Sequence, residues 1–275
     1  MKNTKAQEKP KAPTKAELLN IALTEKGELS KSFNLFRQYS INNIIWLFIQ
    51  MKSKNIPITP VKTYKQWQEV GRQVNKGAEG LYMVEKREWE DKEESEKQGH
   101  KVYRTYYPVT KTHFAMAQTS GENALDKLNE YYKLNIDNIK KNLNVTFTDF
   151  NTMNGNVQGY TKTKNRTIAI NPLDKDFVQT FTHELAHIIL HQERELSKEL
   201  REVEAEATCF LTCSLIDNNM DLSSSRAYIQ GYMKNAGIKE LPKENADRIF
   251  TAVDIILSAS DNKTDKMNDA LNRLK

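Results

Sequence analysis

Apolar positions recur along this chain with a helical period in its longer segments and with a strand period in a few short ones. Residues 16–55 read as two helices, the second of which, "FNLFRQYSINNIIWLFIQMKSKN", carries a dense apolar and aromatic face. Pro57 and Pro60 then open a loop, Tyr64 to Val70 suggest a short helix, and the turn signal "NKGAEG" leads into a strand, "LYMVEK". A second strand candidate, "KVYRTYYPVTKTHFAMAQT", follows the acidic cluster "EWEDKEESE" at 88–96. These two strands are expected to pair, with 88–100 as their long, solvated connection. Residues 122–150 join the two halves and open as an amphipathic helix. Residues 156–172 read as two short strands around the polar turn "TKTKN": Ile168 and Ile170 alternate with Thr167 and Ala169, and Asn171-Pro172 ends the run. An apolar helix at 181–192 and an acidic helix that turns apolar over 196–216 come next, and no internal repeat is present. The order predicts an α+β protein of two domains, the first built from helices and a small antiparallel sheet. The expected boundaries are a flexible basic arm at 1–15, a first domain at 16–125, a second at 126–260 and a polar C-terminal tail at 261–275.

The helix "FTHELAHIILHQ" raises a chemical question. His183 and His187 are four apart and so lie one turn from each other on one face. They can offer two imidazole nitrogens to one tetrahedral zinc ion, and Glu184 can act as general base toward water at that metal. Leu185, Ala186, Ile188, Ile189 and Leu190 surround them, which buries the helix on most sides. Buried imidazoles and a buried carboxylate need partners, and a metal partners all three. Downstream, "REVEAEA" offers Glu202, Glu204 and Glu206 just before an apolar run. Glu202 and Glu206 share a helix face, whereas Glu204 points elsewhere. The favoured set is His183, His187 and Glu202 as ligands, with Glu206 accepting a ligand histidine's free N–H. His191 lies about 12 Å along the axis from His183, too far for the same metal on one straight helix, and is expected to make a local hydrogen bond. The strand just before this helix has an edge to which an extended peptide could add.

Composition narrows the setting. With 275 residues there is room for two cores, and a mean hydropathy of −0.71 suits a charge-rich soluble chain. The longest apolar run, "IIWLF" at 44–48, is far shorter than the roughly 20 residues of a membrane span. No membrane partner is therefore expected. The N-terminal stretch lacks the apolar core of a secretory signal. Cys209 and Cys213, four apart on the glutamate helix, read as buried thiols of a cytoplasmic protein. The net charge of +5 is uneven: residues 1–125 hold 21 Lys/Arg against 14 Asp/Glu, whereas residues 126–275 hold 20 against 22. A basic first half favours a polyanion partner.

Residues of about 136–257 resemble the ImmA/IrrE-type zincin metallopeptidases through "HELAHIILH", "REVEAEA" and the helical tail "SSRAYIQGYMKNAG…NADRIFTAVDIIL". That resemblance implies zinc held by His183, His187 and a downstream glutamate, with Glu184 as base. The E-x-x-A-[N/E] pattern matched by Glu202, Ala205 and Glu206 points to Glu202.

The first half resembles the N-terminal single-stranded-DNA-binding domain of ArdC-type antirestriction proteins. The resemblance covers about 30–121, through "YSINNIIWLFIQ", "YKQWQEVGRQVNKGAEGLYMV" and "THFAMAQTSG" in order. It departs from that pattern at "ITPVKTYKQW", where a glycine is expected near Thr63, and in its acidic insert. Independently, cations interleave with aromatic residues as in single-strand grooves: Arg72, Lys76, Lys86, Arg87, Lys101, Arg104 and Lys111 among Tyr64, Trp67, Tyr82, Tyr103, Tyr106 and Tyr107. The candidate DNA contacts are Tyr64, Arg72, Lys76, Lys86, Arg87, Arg104 and Lys111, while Trp46, Trp67 and Phe114 are expected in the core.

Together these imply a plasmid or phage protein that joins single-stranded-DNA binding to a zinc metallopeptidase and shields incoming DNA from restriction. Two alternatives stay open. One is a regulatory protease that cuts a repressor; the other is a DNA-binding protein whose zinc domain is structural and does not cleave.

Overall fold

The computed structural model describes residues 10–24, 29–36, 38–122, 132–152, 157–192, 196–216, 220, 222–235, 237–238 and 241–274. Most of the expected basic arm (1–9) and the expected amphipathic start of the joining segment (123–131) lie outside the described residues. The helices are α1 (Lys15–Thr24), α2 (Leu29–Phe36), α3 (Ile41–Ser53), α4 (Tyr64–Glu69), α5 (Lys92–Gln98), α6 (Ile136–Leu143), α7 (Phe177–Leu190), α8 (Lys198–Ile216), α9 (Ser223–Asn235), α10 (Lys243–Ser260) and α11 (Thr264–Leu274). The strands are β1 (Val61–Thr63), β2 (Arg72–Val74), β3 (Leu81–Val84), β4 (Arg87–Glu90), β5 (Tyr103–Tyr106), β6 (Val109–Ala115), β7 (Thr119–Gly121), β8 (Thr146–Phe147), β9 (Gly159–Lys162) and β10 (Thr167–Ile170). The class is α+β, in two compact units: Met1–Pro13 with Leu35–Leu128, and Thr14–Asn34 with Asn129–Lys275.

In the first unit, β1, β6 and β3 form an antiparallel sheet in that order. α3 is apolar on nearly every side, burying Ile41, Ile44, Ile45, Trp46, Leu47, Phe48 and Met51. Its two buried amides do a separate job. Asn43 bonds both backbone groups of Val84 at 2.8 and 3.0 Å, and Gln50 bonds both of Tyr82 at 2.8 Å. The outer edge of β3 is thereby satisfied by side chains instead of another strand, which removes a site for unwanted pairing. Thr63, where the ArdC-type pattern led us to expect a glycine, caps α4: its hydroxyl accepts from the Gln66 N–H, and Gln66 accepts from the Thr63 N–H at 2.9 Å. Thr63 is extended, so no glycine is needed there. Gly80 is needed, because a Cβ there would meet the Lys111 carbonyl oxygen at 2.7 Å.

The expected pairing of "LYMVEK" with the later strand is present as β3 with β6. The connection is largely exposed, as expected, but it is ordered: 88–100 contributes β4, which pairs with β5, and the helix α5, which buries no residue. Asp91 caps α5 and Gly99 ends it in the left-handed region (φ +70°). The expected two helices over 16–55 are three, because the chain breaks before the Ser40 cap of α3.

In the second unit, β10 lies between β8 (parallel) and β9 (antiparallel). Ile168 on this sheet packs with Phe181, Leu185 and Ile188 of α7 and Ile255 and Ile256 of α10. α8 packs on α7, α9 and α10. α1 belongs here, although its position in the sequence suggested the first domain. Leu18, Leu19 and Ala22 are buried against α8 and α10, and Lys15 reaches Asp247 at 3.2 Å. Residues 261–275 are not a tail either. α11 is amphipathic and sinks Met267 and Ala270 into the same core, since its few apolar residues fall on one helical face.

Candidate metal centre

The centre is built on α7 and α8. With Phe181, Leu185 and Ile188 of α7 turned to the sheet and α10, the opposite face presents His183 and His187. Gly159 on β9 lets the strand lie close to this helix: a Cβ there would meet Thr180 Cγ2 at 2.6 Å and Glu184 Cγ at 3.2 Å. α8 brings up Glu202 and Glu206 from the other side.

Three atoms of metal-ligating type converge. His183 Nε2 and His187 Nε2 are 3.2 Å apart, and Glu202 Oε2 lies 3.5 and 3.7 Å from them. A tetrahedral ion with ligand distances of about 2.1 Å requires edges of about 3.4 Å. The triangle therefore fits a small divalent cation without rearrangement. It is the single cluster of metal-ligating type among the described residues, and Cys209 and Cys213 are free, buried and not part of it.

Each histidine is held from behind. His183 Nδ1 is 2.8 Å from Glu206 Oε2. His187 Nδ1 is 3.0 Å from His191 Nδ1, and His191 Nε2 is 3.0 Å from Glu204 Oε2. Glu204 is fully buried and accepts from Arg248 Nε at 3.0 Å and Asn245 Nδ2 at 2.9 Å. The spacing of glutamates turned Glu204 away from the metal face, and that face is where the sequence reading stopped. It missed the buried network, because Asn245 and Arg248 are some forty residues away and carry no local signal.

The electrostatics follow from burial and charge. Burial pulls the His183 imidazole down, but hydrogen bonds to Glu202 and Glu206 outweigh it and hold the group at about 10. Burial pushes the Glu202 and Glu206 carboxylates up, and their histidine partners bring both below the ordinary carboxylate range. Burial raises Glu184, which His183 and His187 only partly offset. Glu184 faces a cavity of about 820 Å³, lined also by β9, Lys198, Arg201, Tyr228 and Tyr232. Of these lining groups, the sequence reading had singled out only the strand.

The candidate DNA contacts of the first unit fare unevenly. Arg72 is buried and is not a surface cation. It donates to Thr119 Oγ1 at 2.8 Å, the Thr119 carbonyl at 3.0 Å, the Gly121 carbonyl at 3.0 Å and the Glu122 carbonyl, tying β2 to β7. An isolated "GRQV" could not reveal those acceptors, almost fifty residues on. Lys76 is exposed. Lys86, Arg87, Arg104 and Lys111 are at the surface, paired with Glu88, Glu85, Asp91 and Glu79 respectively. Tyr64 is half exposed, its hydroxyl accepting from Gln73 at 2.7 Å. Trp67 is buried and bonds the Phe114 carbonyl, and Trp46 stacks on Tyr82.

Comparison with known proteins finds a separate family on each half of the chain, although the first match starts inside α1, which packs in the second unit. The N-terminal domain of anti-restriction factor ArdC matches residues 20–114, and the IrrE N-terminal-like domain, a peptidase family, matches 140–218. Among solved structures, the metal-free antirestriction ArdC protein from plasmid R388 superposes with a TM-score of 0.50 at 17% identity, over 95% of this chain and 98% of that one. Its Mn(II)-bound form gives 0.50 at 16% identity, over 95% and 99%. A search of curated proteins returned no match. The two domain matches and the fold likeness together support an ArdC-type two-domain architecture, a first half similar to the ArdC N-terminal domain and a second half similar to the IrrE N-terminal-like domain.

Proposed function

We propose that this chain is an antirestriction protein of a plasmid or phage, acting in the cytoplasm, which binds single-stranded DNA through its first unit and hydrolyses a protein at a zinc centre in its second. The observation that carries the catalytic half is the near-tetrahedral set of His183, His187 and Glu202 beside a buried Glu184 in an open cavity. Zinc, when bound, supplies Lewis acidity toward a peptide carbonyl and toward water. Glu184 takes a proton from the attacking water and returns it to the departing amine. Burial lifts its pKa, which suits it to both transfers. β9 pairs only with β10 among the described residues, and its other side lines the cavity. That edge is suited to hold an extended peptide by backbone hydrogen bonds. The nitrogen-rich ligand set favours zinc over manganese.

The test uses the full-length protein. Metal analysis should find about one zinc per chain, and Glu184→Gln should keep that zinc and abolish hydrolysis of a denatured protein substrate. Fluorescence anisotropy should show single strands bound more tightly than duplex of equal length, with log–log salt slopes near −0.7 per phosphate contact. Chelation should leave DNA binding unchanged. Equal affinity for duplex would remove the DNA half, and wild-type protein loaded with zinc but inert on every protein offered would favour a structural centre.

A further inference from the structure

The acidic stretch "EWEDKEESE" hides an alternation that only pairing reveals. β4 and β5 align Arg87 with Tyr106, Glu88 with Thr105, Trp89 with Arg104, and Glu90 with Tyr103. Opposed residues of an antiparallel pair share a face, and faces alternate along each strand. One face of the hairpin therefore carries Arg87, Trp89, Arg104 and Tyr106, with no acidic residue from either strand. The carboxylates of Glu88 and Glu90 are on the other face, where Lys86 and Lys101 pair with them at 2.7 and 3.5 Å.

The cationic face is open. Trp89 is 49% and Tyr106 45% exposed, and the Arg87 and Arg104 side chains are 49% and 60% exposed. Each guanidinium touches a carboxylate, Glu85 or Asp91. A guanidinium has five N–H donors, so with one carboxylate anchoring each arginine from below, donors remain on the exposed side for a second anion. Two aromatic faces alternating with two cations are complementary to a chain of bases and phosphates, and need no duplex groove.

We propose that the Arg87–Trp89–Arg104–Tyr106 face is a platform for single-stranded DNA, with bases stacked on Trp89 and Tyr106 and phosphates held by the two arginines. This rests on the DNA-binding function proposed above and adds a location to it. The insert, acidic by composition, becomes a contact surface.

The chain supplies its own reporter. Of its three tryptophans, Trp46 is 8% and Trp67 0% exposed, so Trp89 dominates the solvent-accessible emission. Titrating full-length protein with a short oligothymidylate should quench that emission and shield it from acrylamide. Trp89→Ala should weaken binding about 5- to 150-fold per base stacked, with little change in salt slope. Arg87→Gln and Arg104→Gln should each reduce the slope by about 0.7, whereas Glu88→Gln should not weaken binding. If wild-type protein binds the strand while Trp89 emission is unmoved and Trp89→Ala binds as well, the platform is overturned and the DNA-binding function stands. If wild-type protein does not bind the strand at low salt, both fall.

Discussion

His191 Nε2 sits 3.0 Å from Glu204 Oε2, and both side chains are closed to solvent, at 2% and 0% exposure. With a metal ion on His187 Nε2, as proposed, its Nδ1 would carry the proton and donate to His191 Nδ1, 3.0 Å away. His191 then has its proton on Nε2, aimed at Glu204. A chain of hydrogen bonds thus runs from the core to the ligand and fixes the tautomer of His187. Replacing His191 with Phe should leave the Glu204–Arg248 pair intact and weaken zinc binding about 10- to 100-fold, as read by competition with a chromogenic chelator.

Glu204 has a second task, since Arg248 is 11% exposed and pairs with it at 3.0 Å. Glu204→Ala strands that guanidinium and should cost about 3–5 kcal/mol of stability. Urea unfolding of the metal-free protein measures it. A loss under about 1 kcal/mol would show that water reaches Arg248.

The two histidine ligands should behave unlike the base. His183→Ala and His187→Ala should each lose the zinc, and Glu184→Gln should retain it without hydrolysis. A double histidine variant that stays fully loaded would dismiss this site.

Glu202 and Glu206 are separable by the same assay. Glu202→Ala removes a ligand atom and should abolish stoichiometric zinc, whereas Glu206→Ala removes the acceptor behind His183 and should weaken zinc binding about 10- to 100-fold. The opposite ranking would exchange their roles.

Without metal, His183 has its pKa raised from 6.5 to about 10 by its carboxylates. Its raised value adds stability that is complete below 6.5 and is lost as pH climbs through about 10. Glu202 and Glu206 are depressed below 4.5, so their share is present above 4.5 and is lost as pH falls through their lowered values. Melting temperatures in chelator should therefore fall toward both extremes. Zinc must displace the His183 proton, so zinc affinity should rise with pH and uptake should release protons; calorimetry in buffers of different ionisation enthalpy counts them.

Arg72 and Lys76 provide a contrast in the first unit. Arg72→Ala should lower stability by at least about 1.5–3 kcal/mol, because it leaves buried acceptors without their charged donor. Its folded fraction should bind DNA normally. Lys76→Ala should leave the melting temperature unchanged.

What the amino-acid sequence determined by itself was local. The interval of four between His183 and His187 fixes a shared helix face, alternation at 167–170 fixes a strand, and Glu202 and Glu206 share a face by the same arithmetic. Side-chain chemistry at those intervals was enough to single out the three residues that the structure gathers into one cluster of metal-ligating type. Periodicity says which residues share a face, but not what that face meets. Leu18, Leu19 and Ala22 needed an apolar partner and found it on α8 and α10, more than 170 residues away in sequence. Glu204 looked like one more acidic residue until Asn245 and Arg248 closed over it. Arg72 looked like a surface cation until β7 supplied its acceptors. Trp89 sat in an acidic run until pairing with β5 separated its carboxylates from its cations. In the first three cases the deciding contact joins residues far apart in the chain, and its energy exists only once the two surfaces are packed and closed to water; in the fourth, strand pairing alone sorts the side chains onto opposite faces.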